Sequence, residues 1–544
     1  MFQNLKVNTR VSLNRLPVLM ALYYVIVVNV PIVREFFTIF HGLESVKIGF
    51  VLSIPLFFFA AFNFIFQIFN WPYIAKPFFI FLLLTSALVS YAMFSYGVYV
   101  DYGMVENVFE TNMGEATSYL SLYSIVWFVL MGLVPAILLA MAKLEYPGVK
   151  NFLLWKVVGM GISLVIIGVI AAFYYKDYAS VGRNNHQLKK LIIPTEYVWS
   201  TANYINDTYI KEPVVYQQIG TDAKQSEAAR QAEKPTLLVF VLGETARVFN
   251  YQYYGYGKPT NAHTSVHDPI FFSHVTSCGT ATAVSVPCMF SNMNRSNYSK
   301  EKAYNQDNVV DIMSRAGIRS VWREHDGGDK GVAHHIKKMT LMPDDTDPLC
   351  NSDNCYDTAL LENFAEDTKD LDKNNIIFYH ISGGHGPTYY ERYPKEHRKF
   401  LPDCQRADIE NCTNEELINT YDNTILFADY FISEAIKDLK GLTDKYNVGL
   451  IYISDHGESL GEDGVYLHGM PYAIAPKEQT HVPLLMWFSE DFYQQKNLDE
   501  QCLRKLGKDQ PFSHDNVFDS LLGLMDVQTS EYRQDQDIFS RCRS

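Results

Sequence analysis

The sequence predicts two parts: an N-terminal domain of five transmembrane helices and a C-terminal α/β domain outside the membrane. Three observations point that way. Long apolar runs crowd the first 175 residues. After about residue 235, short β-branched runs alternate with helical patterns. All eight cysteines lie in the second part, none before Cys278. A chain of 544 residues is long enough for more than one domain.

The expected spans are Leu16–Val33, Ile48–Phe69, Pro77–Val100, Ser121–Ala142 and Val157–Tyr175. Each approaches or exceeds the ~20 apolar residues that cross a hydrocarbon core. The first is the shortest and holds Asn29 and Pro31; no small-residue cleavage site follows it, which argues against a signal peptide. Lys6, Arg10 and Arg15 precede the first span, and Lys143, Lys150 and Lys156 mark the fourth connection. The third connection instead carries Asp101, Glu106, Glu110 and Glu115. Positive charge on the inside puts the N-terminus in the cytoplasm, and five crossings put everything after Tyr175 on the other side. The cysteines reach the same side independently. An even count confined to one region suits an oxidising compartment. Cys278 and Cys288, Cys350 and Cys355, and Cys404 and Cys412 form close pairs, which leaves Cys502 to join Cys542. Zinc knuckles fit poorly, because no CxxC occurs and the pairs lack nearby histidines.

Domain boundaries follow: 1–175 membrane, 176–234 bridge, 235–544 extracytoplasmic. The bridge mixes Tyr-rich amphipathic pieces (Glu196–Tyr216) with a polar stretch (Ala223–Lys234), read as interfacial helices and a linker. A net charge of -14 without a basic block excludes a nucleic-acid partner. A monomer is expected.

In the second part the expected strands are Thr236–Gly243, Arg319–Arg323, Ile376–Ile381, Val448–Ser454 and Val482–Trp487. Helical patterns cover Asn308–Ala316, Thr358–Asp367 and Glu415–Lys440. Ligands of such sheets collect at the carboxyl ends of strands. Four strands end in polar groups: Gly243-Glu244-Thr245; Glu324-His325 through Lys330; His380 through His385-Gly386-Pro387; and Ser454-Asp455-His456-Gly457-Glu458, followed by His468. Carboxylates with imidazoles suit zinc-like ions, and four such loops converging in one sheet favour a functional site over ordinary surface loops. The hydroxyl-rich segment between Cys278 and Cys288 opens a helix, whose free N–H groups suit a phosphate. A metal-bound hydroxyl there would be an effective nucleophile, with Thr280, Thr282 and Ser285 all open candidates.

At these residues the chain resembles the phosphoethanolamine–lipid A transferases, which include the mobile colistin-resistance enzymes, within the alkaline phosphatase superfamily. The motifs are Gly243-Glu244-Thr245-Ala246-Arg247, Cys278-Gly279-Thr280-Ala281-Thr282-Ala283, Ser285-Val286-Pro287-Cys288-Met289-Phe290, His385-Gly386-Pro387 and Ser454-Asp455-His456-Gly457-Glu458. The resemblance spans almost the whole chain and implies a C-terminal α/β sandwich of alkaline phosphatase/sulfatase type. It makes Thr282 the nucleophile that carries phosphoethanolamine, and Glu244, Thr282, Asp455 and His456 ligands of a tightly bound Zn2+. It gives His385 and His468 either a second zinc or proton transfer near the donor phosphate, and gives Lys330 a contact with that phosphate. Asn107, Thr111 and Glu115 would bind the donor's ethanolamine. One departure stands out: Ile381-Ser382-Gly383-Gly384 replaces a Gln-Met-Gly-containing version, leaving His380 and His385 in place.

The implied reaction moves phosphoethanolamine from phosphatidylethanolamine to Thr282 and then to a lipid A phosphate, at the periplasmic face of a Gram-negative inner membrane. An added amine lowers the negative charge of lipid A and its attraction for cationic peptides, which implies polymyxin and colistin resistance. Other glycan acceptors remain compatible. A lipoteichoic-acid-type glycerol phosphate transferase has a similar anchor and a Thr nucleophile, but paired cysteines favour a periplasm. A sulfatase would need Arg where Met289 stands. A non-catalytic receptor would leave the polar strand ends unexplained.

Overall fold

The computed structural model describes residues 10–41, 46–110, 122–212, 214–325, 328–342, 346–350, 355–369, 372–407 and 409–543. These form two compact units, Met1–Pro213 and Val214–Ser544.

In the first unit the expected first span is a bent pair. Helix α1 (Leu16–Tyr23) runs through a π-turn (Tyr24–Val28), and α2 (Val30–His41) then departs at 55°. The break has a local cause. Asn29 turns out of helical geometry, and Pro31 brings no N–H to continue the ladder. Next come α3 (Ile48–Phe69), α4 (Ala75–Tyr96), the short α5 (Tyr102–Glu110), α6 (Leu122–Met141), α7 (Val149–Asn184) and α8 (Thr195–Ile205). Four of these are long and apolar enough to cross a membrane, and the bent pair makes a fifth. Only 11% of the apolar window of α7 is buried, and Val165 and Phe173 on it are 66% and 75% exposed. That is the surface of a helix solvated by hydrocarbon.

Inside the bundle, Tyr24, Phe62, Phe66 and Phe79 pack edge-on and stacked, with ring centroids 5.1–6.1 Å apart. Polar groups stitch the helices where lipid offers none. Ser86 Oγ lies 2.9 Å from Tyr24 Oη and 3.0 Å from Tyr197 Oη, and Asn63 Nδ2 donates to Ser163 Oγ at 2.9 Å. Helix α8 packs on α5, with Phe109 stacked on Tyr204 at 4.9 Å.

The second unit is built on a seven-stranded sheet. In chain order its strands are β1 (Thr236–Gly243), β2 (Ile270–Phe272), β3 (Arg319–Glu324), β4 (Lys337–Thr340), β5 (Asn375–His380), β6 (Asn447–Ser454) and β7 (Leu484–Phe488). The spatial order is β2-β7-β6-β1-β5-β3-β4. From β6 to β4 neighbours are parallel, whereas β7 runs antiparallel to β6 and β2. Every residue of β1 and β6 is buried, as expected of parallel strands covered on both faces. Leu238, Phe240 and Leu242 face α9 (Thr282–Met289), α10 (Val309–Arg315) and α12 (Val517–Leu524) in one core. On the other face α11 (Asn414–Lys440) packs, as where Phe431 meets Tyr379 at 5.7 Å. The helix expected over Thr358–Asp367 is instead a 3₁₀ turn (Asp357–Leu361) and a single α-turn (Phe364–Asp367). Four disulfides join Cys278–Cys288, Cys350–Cys355, Cys404–Cys412 and Cys502–Cys542.

Asn29 is a buried polar side chain at the helix break. It is 3% exposed; its Oδ1 accepts the Ile193 N–H at 2.9 Å, and its Nδ2 donates to Ile193 O at 2.7 Å and Tyr24 O at 3.0 Å. Asn29→Leu leaves the N–H and carbonyl of Ile193 unpaired, at roughly 1–3 kcal/mol for each, while Tyr24 O keeps the Asn29 backbone N–H. The thermal midpoint of the detergent-purified protein should fall; an unchanged midpoint would show that the bend does not need this contact.

Candidate active site

Parallel strands of one sheet present their carboxyl ends at one edge, so residues distant in sequence meet there. The register makes this concrete: Gly243 pairs with Ser454, and His380 pairs with both Leu242 and Glu324. Glu244 therefore leaves β1 beside Asp455 and His456, which leave β6. All three are buried, and one ligand atom from each lies within 4.8 Å of the others. His456 Nε2 is 3.5 Å from Glu244 Oε1 and 3.3 Å from Asp455 Oδ2.

The cysteine-bracketed loop sorts its three hydroxyls. Thr280 Oγ1 donates to Met470 O at 2.6 Å, and Ser285 Oγ bonds to both N and O of Gly279. These two hold the loop's shape. Thr282 opens α9 after an extended Ala281, and its Oγ1 lies 3.1 Å from Glu244 Oε2 and 3.3 Å from His456 Nε2. Of the three, only Thr282 faces the cluster.

Backbone donors fix the carboxylates. Asp455 Oδ1 accepts the N–H groups of Thr245 (3.2 Å) and His456 (2.7 Å). His456 Nδ1 lies 3.0 Å from Gly457 O. A carbonyl only accepts, so Nδ1 carries the proton and Nε2 turns its lone pair toward the carboxylates. Asp455 Oδ2 is buried with no hydrogen-bond partner. Two buried carboxylates and an orphaned oxygen are unfavourable without a cation. The donor set of two carboxylates, one imidazole nitrogen and a hydroxyl fits a divalent, zinc-like ion.

Two more histidines join this face. The His468 ring is 4.4 Å from that of His456, and His385 is 5.7 Å from His468. His468 Nδ1 lies 2.7 Å from the buried Glu458 carboxylate, which also accepts the Tyr389 hydroxyl. His380 Nε2 approaches Glu244 Oε2 at 3.9 Å from behind.

On the fourth expected loop, His325 is turned to a different partner. His325 bonds instead to Asp357 Oδ1 at 2.8 Å, and that carboxylate accepts the N–H groups of Ser382 and Gly383. It braces the loop after β5. Lys330 sits further along the same loop, half-buried, with a left-handed φ of 50°. Asn107 lies on α5, while Thr111 and Glu115 fall outside the described residues.

Sequence reasoning assigned no role to Glu458, Tyr421 or His514. Glu458 stood inside a quoted motif. Tyr421 donates to Thr245 O at 2.6 Å and accepts the Arg247 N–H at 3.1 Å from the middle of a long helix, where no local signal marks it.

Comparison with known proteins gives matches to two family models. One, described as Sulfatase, covers residues 236–527; the other, described as Phosphoethanolamine transferase EptA/EptB, covers residues 58–209. The chain is 37% identical over 495 residues to Phosphoethanolamine transferase EptA of Escherichia coli (strain K12), covering 90% of each protein. It is 34% identical over 513 residues to Phosphatidylethanolamine transferase Mcr-1 of Escherichia coli, covering 91% of this chain and 92% of that one. A solved structure, the integral membrane protein lipooligosaccharide phosphoethanolamine transferase A (EptA) from Neisseria meningitidis, matches with a TM-score of 0.64 at 35% identity. That match covers 98% of this chain and 99% of the other.

Gly383, two residues before His385, packs its backbone against that of Glu244. Its φ is 46°, and a Cβ there would stand 2.8 Å from Glu244 O, while Gly384 N donates to that same carbonyl at 3.1 Å. Gly383→Ala should cost roughly 1–3 kcal/mol of stability and displace Glu244. Thermal unfolding and metal content of the purified variant check this; wild-type values for both would show that the contact constrains nothing.

Proposed function

The chain belongs to the phosphoethanolamine transferase EptA/EptB family, and from that premise we propose that it moves phosphoethanolamine from phosphatidylethanolamine to a lipid A phosphate through Thr282. The observation that carries this reading is the placement of Thr282 Oγ1 against Glu244 and His456, with both neighbouring hydroxyls occupied elsewhere. The acceptor and donor classes are supported by relatives whose names specify lipooligosaccharide and phosphatidylethanolamine.

Glu244, Asp455, His456 and Thr282 would hold Zn2+, which when bound stabilises charge on phosphoryl oxygens and acidifies the threonine hydroxyl. In the first step Thr282 Oγ attacks the donor phosphorus, its proton passing to the facing carboxylate, and the phosphorus–oxygen bond to diacylglycerol breaks. The departing alkoxide takes a proton from an imidazole, and His468 and His385 stand in the histidine row beside His456. Glu458 holds His468 by Nδ1, leaving Nε2 for that transfer. In the second step an oxygen of the lipid A phosphate attacks the phosphothreonine, and Thr282 Oγ leaves and regains a proton. His385 and His468 could instead hold a second zinc, and Lys330 would contact the donor phosphate.

The reaction belongs at the periplasmic face of a Gram-negative inner membrane, with the N-terminus in the cytoplasm. Basic residues at the N-terminal tail and fourth connection support that orientation, as do four disulfides in the second unit. The added ammonium lowers surface negative charge and gives resistance to polymyxin-type cationic peptides.

Thr282→Ala should abolish lipid A modification in expressing cells while leaving the protein folded. Wild-type protein incubated with donor alone should carry phosphoethanolamine on the Thr282 peptide, and chelation should stop its formation until zinc is restored. An adduct mapped to Thr280 or Ser285, or lipid A modified by the Thr282→Ala protein, would overturn the assignment.

Asn107, Thr111 and Glu115 would take the donor's ammonium, with Glu115 as counter-ion. Glu115→Ala should weaken transfer from phosphatidylethanolamine by roughly 1.5–3 kcal/mol, the scale of a hydrogen bond to a charged group. A soluble minimal substrate should show no such loss. Equal lipid A modification by wild type and Glu115→Ala at matched expression would remove this loop from the donor site.

A further inference from the structure

Thr282 and the Asp455–His456 pair come from segments more than 170 residues apart. One side chain touches the backbone of both. His514 follows Ser513, whose hydroxyl caps the turn His514–Asn516 by accepting the Asp515 N–H at 3.2 Å. Phe512 and Ser513 pair with Val275 and Thr276, which lead into the cysteine loop. The His514 ring is fully buried. Its Nδ1 accepts the Cys278 N–H at 3.1 Å, and its Nε2 lies 2.9 Å from Ser454 O.

Nδ1 accepts, so Nε2 must hold the single proton and donate it to the carbonyl. The ring is neutral with both nitrogens engaged by backbone, and burial pushes its pKa down to about 4. Such a histidine has no proton to exchange with substrate. What it has is reach: Cys278 opens the disulfide loop four residues before Thr282, and Ser454 immediately precedes Asp455. Ser454 is itself held on both sides, because its Oγ accepts the Ala246 N–H at 2.8 Å and donates to His456 O at 3.0 Å. A rigid planar ring thus sets the spacing between the loop that carries Thr282 and the strand end that carries Asp455 and His456.

We infer that His514 is a positioning residue for the transfer reaction, fixing Thr282 Oγ1 against the Glu244–Asp455–His456 face without contacting substrate. The inference rests on the reading of Thr282 as the nucleophile. Holding reacting atoms to a fraction of an ångström is worth much in rate and little in ground-state binding, so the effect belongs in kcat.

The test uses the full-length protein in detergent with phosphatidylethanolamine, comparing His514→Leu, which loses both backbone contacts, with His514→Gln, which keeps a donor and an acceptor. His514→Leu should lower kcat roughly 10–100-fold with donor KM changed by less than about twofold, and His514→Gln should recover most of the rate. Wild-type kcat in His514→Leu, a loss confined to KM, or an equal loss in both variants would overturn the inference. Should His514→Leu fail to fold, His514→Asn replaces it, since the shorter amide reaches only one of the two backbones; a kcat equal to that of His514→Gln would then count against the proposal. Thr282→Ala run alongside separates the two readings. An active Thr282→Ala protein refutes the nucleophile, whereas an inactive one beside a fully active His514→Leu refutes the positioning role alone.

Discussion

Glu244 and Asp455 set the terms for everything around them. Each is buried at the end of a central parallel strand, and each faces the imidazole of His456 within 3.5 Å. An ionised carboxylate taken out of water costs several kcal/mol, and a second one alongside adds repulsion. Such a pair persists only where the backbone holds it and a cation can neutralise it. The hydrogen bonds from Thr245 N and His456 N to Asp455, the Ser454 hydroxyl between Ala246 N and His456 O, and the Tyr421 hydroxyl between Thr245 O and Arg247 N all serve that end. The close approach of Gly383 to Glu244 O belongs to the same construction, because any side chain at that position would push the loop off the carboxylate's own backbone.

How far the sequence disclosed this depends on the range over which each signal acts. The β1 run Thr236–Gly243 is apolar at nearly every position, and it forms a strand over those same residues. The capped helix α10 and the long α11 likewise carry their own boundary signals; Asn308 and Thr413 each close a capping box. By contrast β2 and β4 are three and four residues long and owe their existence to an adjacent edge rather than to their own pattern. The Thr358–Asp367 pattern looked helical because its apolar spacing is helical. Tertiary demands on Asp357, which receives His325, Ser382 and Gly383, open the segment with a 3₁₀ turn.

The candidate site divides the same way. Glu244, Asp455, His456 and the cysteine loop stand in compact motifs, so their chemistry could be named from residue types. Choosing among Thr280, Thr282 and Ser285 could not be done on chemistry, since all three are hydroxyls within six residues. Geometry separates them: Thr280 and Ser285 bond to Met470 and Gly279. His325, at the end of another strand of the same sheet, bonds to Asp357. A polar residue at the carboxyl end of a strand can serve the site or serve the neighbouring loop, and only the position of Asp357, 32 residues away, decides it. His514 lies beyond both kinds of signal, because its two partners are backbone atoms and leave no trace in residue type.

The membrane part of this phosphoethanolamine transferase is built for more than retention. An anchor requires length and apolar character alone, and α7 by itself would supply both. The first unit instead places polar contacts inside the bundle, where each must be matched because lipid cannot solvate what is left over. Tyr24, Ser86 and Tyr197 form one chain of hydroxyls, and Asn29 pairs with both backbone groups of Ile193. Lys190 meets Asp101 at 2.9 Å at the start of α5. These contacts converge on the segment from Lys190 to Tyr204 and on α5, and Tyr204 stacks against Phe109. The described polar contacts thus tie the segment from Lys190 to Tyr204 to α1, α4 and α5, beside others such as Asn63 with Ser163. A bundle built merely to retain a soluble enzyme would have no physical reason to bind the segment from Lys190 to Tyr204 to its first and fourth helices by matched polar pairs.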